Sequence, residues 1–172
     1  YIKQAHTFVK IEDHTKQLEQ QSKEELAVKQ QEIDKKNAAI AEEMRKAEER
    51  NQKIILAGDL KNKGDELAFA ERYIESIDKY EEAKKLYTEL DLKGETEYLE
   101  FKIKRNEGYL YELQGDQAYK AKKWIDAEQK YKMSADSFDK AGDISEEVKS
   151  RVEKKLAKAT RKVNKRWWQF WK

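Results

Sequence analysis

The chain contains no cysteine and no proline, and only six glycines in 172 residues. Without cysteine there is no disulfide framework, no thiolate metal site and no cysteine nucleophile. Cysteine absence fits a reducing cytoplasm and fits a bacterial cell envelope equally well. Proline and glycine are the residues that interrupt helices, so their scarcity leaves long helical runs unbroken. No segment alternates apolar and polar residues between turn signals, so strands are not expected. No apolar run approaches the ~18 residues that a membrane span requires. The chain opens on Tyr1 rather than Met, and is expected to be a fragment in which a targeting signal would not be visible.

What is abundant is charge. Asp, Glu, Lys and Arg make up 42% of the residues, against 38% for the whole hydrophobic set. A thin core of this kind suits amphipathic helices, each burying one stripe and solvating the rest. The expected class is therefore all-α. The 37 basic residues nearly balance the 35 acidic ones, which argues against a general nucleic-acid binder. Catalysis and metal binding find no footing, and no cofactor is implied. His6 and His14 stand eight apart, whereas a helical metal pair needs a spacing of three or four. The glycines occur singly, without the clustered loop that cradles phosphate.

Four segments follow from the patterning. Residues 1–12 are mixed and read as an irregular arm. Residues 13–56 read as one long amphipathic, coiled-coil-like helix. Leu26, Ile33, Ile40, Ala47 and Ile54 recur every seven residues along one seam, while Gln30, Asn37, Met44 and Asn51 make its other half mostly polar. Ile11 and Leu18 fall one residue out of phase. Such a seam either rests on a neighbouring helix or pairs with a second copy of the chain, making a homo-oligomer through residues 26–54.

Residues 57–143 contain an internal repeat. A shift of 51 places Gly64-Asp65 on Gly115-Asp116, Tyr73 on Trp124, Ser76 on Ala127, Tyr80 on Tyr131, Ala83 on Ser134 and Tyr87 on Phe138. Small residues meet small ones and aromatics meet aromatics. The pattern Gly64 … Tyr73 … Ser76 … Tyr80 … Ala83, and its second copy Gly115 … Trp124 … Ala127 … Tyr131 … Ser134, resembles the tetratricopeptide repeat. That family norm is about 34 residues, so the excess here implies a second hairpin whose first helix is extended, starting near Glu95. The stretch from Ala121 to Asp143 is similar to the long-helix variant in the soluble NSF attachment proteins. Gly94 and Gly142 are expected to end the second helix of each hairpin in the left-handed conformation.

The resemblance implies two helical hairpins acting as an adaptor that holds a protein partner on their first helices. Carried over by position, the concave ligand face would present Lys61, Asp65, Ala68 and Phe69, then Tyr109, Glu112, Asp116, Tyr119 and Lys120. The family's carboxylate clamp requires an asparagine where this chain has Asp65 and Asp116. Acids there would repel a carboxylate, so a mixed or basic ligand is expected.

Residues 144–172 read as a basic amphipathic helix that caps the second hairpin and ends in an aromatic tail. Val148, Val152, Leu156, Ala159, Val163, Trp167 and Phe170 form its apolar face. Nine basic residues lie between Arg151 and Lys172, against the single acid Glu153. Arg161, Lys162, Lys165 and Arg166, with Trp167, Trp168, Phe170 and Trp171, make an alternative contact with an anionic membrane surface or a partner.

Overall fold

A computed structural model describes the backbone of residues 2–170 and the side chains of residues 14–166 and 168. Among the described residues there are five helices and no strand. They are α1 (Ile2–Phe69), α2 (Tyr73–Glu89), α3 (Lys93–Lys120), α4 (Trp124–Ala141) and α5 (Glu146–Phe170). The fold is all-α.

Residues 2–12 are helical rather than an irregular arm, because no glycine or proline stands before Gly58 to interrupt α1. The chain divides into two compact units, and the division falls inside α1 after Glu49. In the first unit every described side chain is exposed, including Leu26, Ile33, Ile40 and Met44. Its visible support is local: Gln30 donates to Asp34 at 2.9 Å, and Arg45 bridges Glu42 and Glu49. Pairs of this kind contribute only ~0.2–0.5 kcal/mol each.

The second unit begins at Arg50 and holds the core. Its first helix is the end of α1, which runs antiparallel to α2. Arg50 donates to the Leu90 carbonyl at 3.1 Å and Lys53 pairs with Glu89 at 2.7 Å. At the other end, Ser76 donates its hydroxyl to the Gly64 carbonyl at 2.7 Å.

Three of the connections are one turn used three times. Arg72, Leu92 and Lys123 each donate back five residues, to the carbonyls of Leu67, Tyr87 and Ala118 at 2.9 Å. Glu71, Asp91 and Lys122 each donate back three residues at 3.0–3.1 Å and sit in the left-handed region, with φ of 58°, 55° and 60°. This is the Schellman termination, built without the glycine that usually occupies it. The same turn therefore closes α2 at Asp91. Gly94, expected to end that helix, lies inside α3 instead. Gly142 does end α4, with φ of 81°. The observed start of α3 at Lys93 is two residues before the expected one.

The length of α3 sets how the core is divided. Leu99 and Ile103, from its first half, pack with Ala57, Tyr80, Ala83 and Tyr87 of α1 and α2. Phe101 and Tyr109 pack against Phe138, Ala141, Ile144 and Val152 of α4, the following turn and α5. Ala118 and Tyr119, near its end, pack with Ala127, Tyr131 and Ala159. The extra residues behind the 51-residue period thus let one helix serve both halves of the repeat.

Helix spacing is set where rings lie on glycine. A Cβ added at Gly64 would meet the Tyr80 ring at 2.5 Å, and one at Gly115 would meet the Tyr131 ring at 2.6 Å. Gly108 stands in the same relation to Phe138 at 2.5 Å. Each ring is buried and cannot withdraw. Ser134 hydrogen-bonds the Gly108 carbonyl at 2.8 Å, as Ser76 does that of Gly64. Asn106, also buried, donates to the Ser76 hydroxyl at 2.6 Å, which completes a buried polar chain.

Gly115→Ala is expected to destabilise the protein by ~1–3 kcal/mol through overpacking. Gly58→Ala, where nothing lies within 4 Å, is expected to stabilise it by up to ~1 kcal/mol. Urea unfolding of both variants checks this. Equal effects would mean that ring contact does not set the helix spacing.

Candidate partner-binding site

Within the second unit, α1, α3 and α5 form a layer of alternate helices joined by ion pairs across their faces. Lys102 of α3 reaches Asp65 of α1 at 3.0 Å. Arg151 and Lys155 of α5 reach Glu112 of α3 at 2.7 and 2.8 Å, and Lys155 also reaches Asp116 at 2.6 Å. This layer carries all nine of the residues placed on the ligand face by resemblance.

Their situations differ. Phe69 is 94% exposed, and Lys120 is exposed as well. Lys61 lies over the Tyr98 ring, 5.3 Å from its centroid. Asp65 accepts from the Tyr80 hydroxyl at 2.6 Å as well as from Lys102. Asp116 repeats this with the Tyr131 hydroxyl at 2.7 Å and with Lys155. Tyr109 stacks on Tyr73 at 5.6 Å and meets Phe138 edge-on at 5.0 Å. Tyr119 meets Trp124 edge-on at 4.8 Å. Glu112 is buried, gripped by Arg151 in a two-pronged contact at 2.8 and 2.7 Å.

Asp65 and Asp116 are therefore closed off by a tyrosine and a lysine of their own chain, and do not stand open to turn a carboxylate away. Burial raises the Asp65 carboxyl, but hydrogen bonds from Tyr80 and Lys102 outweigh it and hold the group below its ordinary value. The same balance holds at Glu112, where Arg151 and Lys155 overcome the burial that would raise it. Burial and the bonded carboxylates push the Tyr80 and Tyr131 hydroxyls well up, so both remain donors.

Several residues of this face escaped the sequence reading. Tyr98, Lys102 and Arg105 precede Tyr109 at helical spacing, and Leu113 follows it. Tyr98 is 42% exposed, Leu113 is 43% exposed, and the Arg105 guanidinium lies 5.9 Å from the Tyr109 ring. The signal was present as the i, i+4, i+7, i+11 series Tyr98, Lys102, Arg105 and Tyr109. The tetratricopeptide resemblance does not mark it, since that pattern begins its hairpin near Tyr109. With those three acids engaged, Arg105 and Lys120 remain as exposed cations of α3, Lys61 acts on Asp65, and Glu95, one turn before Tyr98, is an exposed acid of the same helix.

On α5, Arg161, Lys162, Lys165, Arg166 and Trp168 are exposed. Lys162 lies over the Trp124 ring at 5.7 Å. The side chains of Trp167 and Phe170, and all of Trp171, lie outside the described residues. Among the described residues no three His, Asp or Glu side chains converge as a metal would require. An open depression of about 550 Å³ between α3 and α4 is lined mainly by Gln114, Gln117, Asp126, Gln129 and Lys130. Small-molecule sites are instead largely enclosed and apolar. Comparison with protein-family models, curated proteins and solved structures finds no match to this chain.

Glu112, held below its ordinary value, contributes stability that is intact above the unfolded glutamate value of ~4.3 and is lost as pH falls through the lower folded value. Glu112→Gln is expected to cost ~1–3 kcal/mol at pH 7, with the gap narrowing at pH 3. Thermal melts of both proteins at the two pH values check it. An unchanged gap would show that carboxylate charge is not what ties α5 to α3.

Proposed function

We propose that the chain is a non-enzymatic scaffold of tetratricopeptide type, which holds a segment of another protein against the face shared by α1 and α3. The observation carrying this reading is the recurrence, 51 residues apart, of one constellation. In each copy a tyrosine ring lies on a glycine, its hydroxyl bonds the aspartate that follows that glycine, and the first helix ends in the same turn. Repetition of a hairpin unit serves stacking, and stacked first helices offer an extended surface suited to a peptide.

The chemistry of that surface indicates the segment. Phe69 and Leu113 are large apolar side chains left in water, and Arg105 and Lys120 of α3 are exposed cations outside the ion pairs among the described residues. A partner segment with an apolar anchor flanked by acidic residues fits them. This differs from the mixed or basic ligand expected from Asp65 and Asp116, since those carboxylates are already bonded.

Affinity capture from source-cell lysate with the intact chain and with a Phe69→Ala, Leu113→Ala variant tests the assignment. Both side chains are substantially exposed, so the variant is expected to keep the wild-type helicity and to lose at least one captured protein. Identical capture would remove this face from consideration.

A second reading rests on the exposed seam of α1, where Leu26, Ile33 and Ile40 are each at least half exposed within one chain. Pairing of two copies would cover it. Molar mass by light scattering is expected to rise from 20.5 kDa toward a multiple as concentration increases. A strict monomer at high concentration would exclude self-association.

A further inference from the structure

Helix α5 has two faces, and only one belongs to the fold. Val152 and Ala159 are buried against α4, with Val148 and Leu156 beside them. Thr160 hydroxyl donates to Glu128 of α4 at 3.0 Å. From Asn164 to the end, every described side chain is exposed.

The opposite face repeats at spacings of four and three: Lys154, Lys158, Arg161, Lys165 and Trp168. These positions fall on one line along the helix. All five are exposed, and Trp168 is 75% so. Among the described residues none of the four cations has an acidic side chain in ion-pair reach, whereas Arg151 and Lys155, at the edge of the docked face, are both engaged by Glu112. Four uncompensated cations in a row, closed by an indole in water, form a surface that the fold itself does not use.

We propose that this outward stripe of α5 docks the protein on an anionic lipid bilayer, the cations against the headgroups and Trp168 at headgroup depth. Juxtamembrane cations gain from the negative potential of anionic lipid. Tryptophan prefers the membrane–water boundary, where its ring is half apolar and its N–H can remain hydrogen-bonded. The sequence continues this character with Trp171 and Lys172. Nucleic acid offers the same negative charge, but the terminal indole and the near balance of charge over the whole chain favour lipid. Because the apolar stripe from Val148 to Ala159 is already packed against the body, the helix cannot sink into the acyl region along its length. Attachment is therefore shallow and sensitive to salt.

Co-sedimentation of the 172-residue chain with phosphatidylcholine vesicles containing 30% phosphatidylserine, and with phosphatidylcholine alone, tests the proposal. Binding is expected only to the anionic vesicles and to fall sharply in 0.5 M NaCl. The K154Q/K158Q/R161Q/K165Q variant is expected to bind more than about tenfold more weakly. Circular dichroism and thermal melts confirm that it is folded. W168A, altered at an exposed position near the helix end, is expected to weaken binding severalfold without changing the melt. Failure to pellet with anionic vesicles, or equal pelleting of the wild type and the quadruple variant, overturns the proposal. Undiminished binding by W168A would overturn the placement of the indole. Tighter binding to a fluorescein-labelled 20-mer duplex than to the vesicles would reassign the stripe to nucleic acid. None of these outcomes bears on the α1–α3 face, which is read out separately by protein capture.

Discussion

The arrangement depends on how close a helix can come to a tyrosine ring. At Gly64 and Gly115 the ring of the following helix occupies the volume that any side chain would fill. This contact fixes the distance between paired helices and brings each hydroxyl to an aspartate one residue beyond the glycine. The aspartate is thereby oriented so that it can also accept a lysine from the next helix in its layer, Lys102 or Lys155. One steric constraint inside each pair thus propagates to electrostatic ties between pairs. A larger residue at the glycine would displace the ring, the hydroxyl and the ion pair together.

Much of this was legible in the residues. The scarcity of helix breakers identified the all-α class, and the matched glycines, aromatics and small residues at a shift of 51 identified the units that repeat. Helix boundaries in the core fell close to expectation because apolar periodicity and turns coincide there. The turns themselves were harder to see. Glu71, Asp91 and Lys122 adopt the left-handed conformation without being glycine, since the bonds that close each turn outweigh a local cost of ~1–2 kcal/mol. Gly94 drew attention as a terminator only because glycine usually is one. The N-terminal segment lacked any stop signal, yet its mixed composition suggested an arm, and absence of breakers proved the stronger indicator.

The site was legible by residue but not by relationship. The resemblance placed Asp65, Glu112 and Asp116 on one face. It could not reveal that their charges are answered from α3 and α5, because Lys102, Arg151 and Lys155 lie 37 to 43 residues away and no local pattern links them. Tertiary pairing of this kind takes Asp65, Glu112 and Asp116 out of the free charge of the surface. The same blindness applied to α5: its apolar periodicity marked it as amphipathic, but only packing distinguishes the face that docks from the face that remains available.

The three uses of α3 have a consequence for cooperativity. Arrays in which each unit touches only its neighbours can fray from an end, one unit at a time. Here residues of a single 28-residue helix belong to all three core clusters. Loosening α2 uncovers Leu99 and Ile103, and loosening α4 uncovers Phe101 and Tyr119. Either event weakens the helix on which the other depends. The core of this unit is thus built to melt in one concerted transition, with α3 as the shared spine, although its sequence is written as two copies of a repeat.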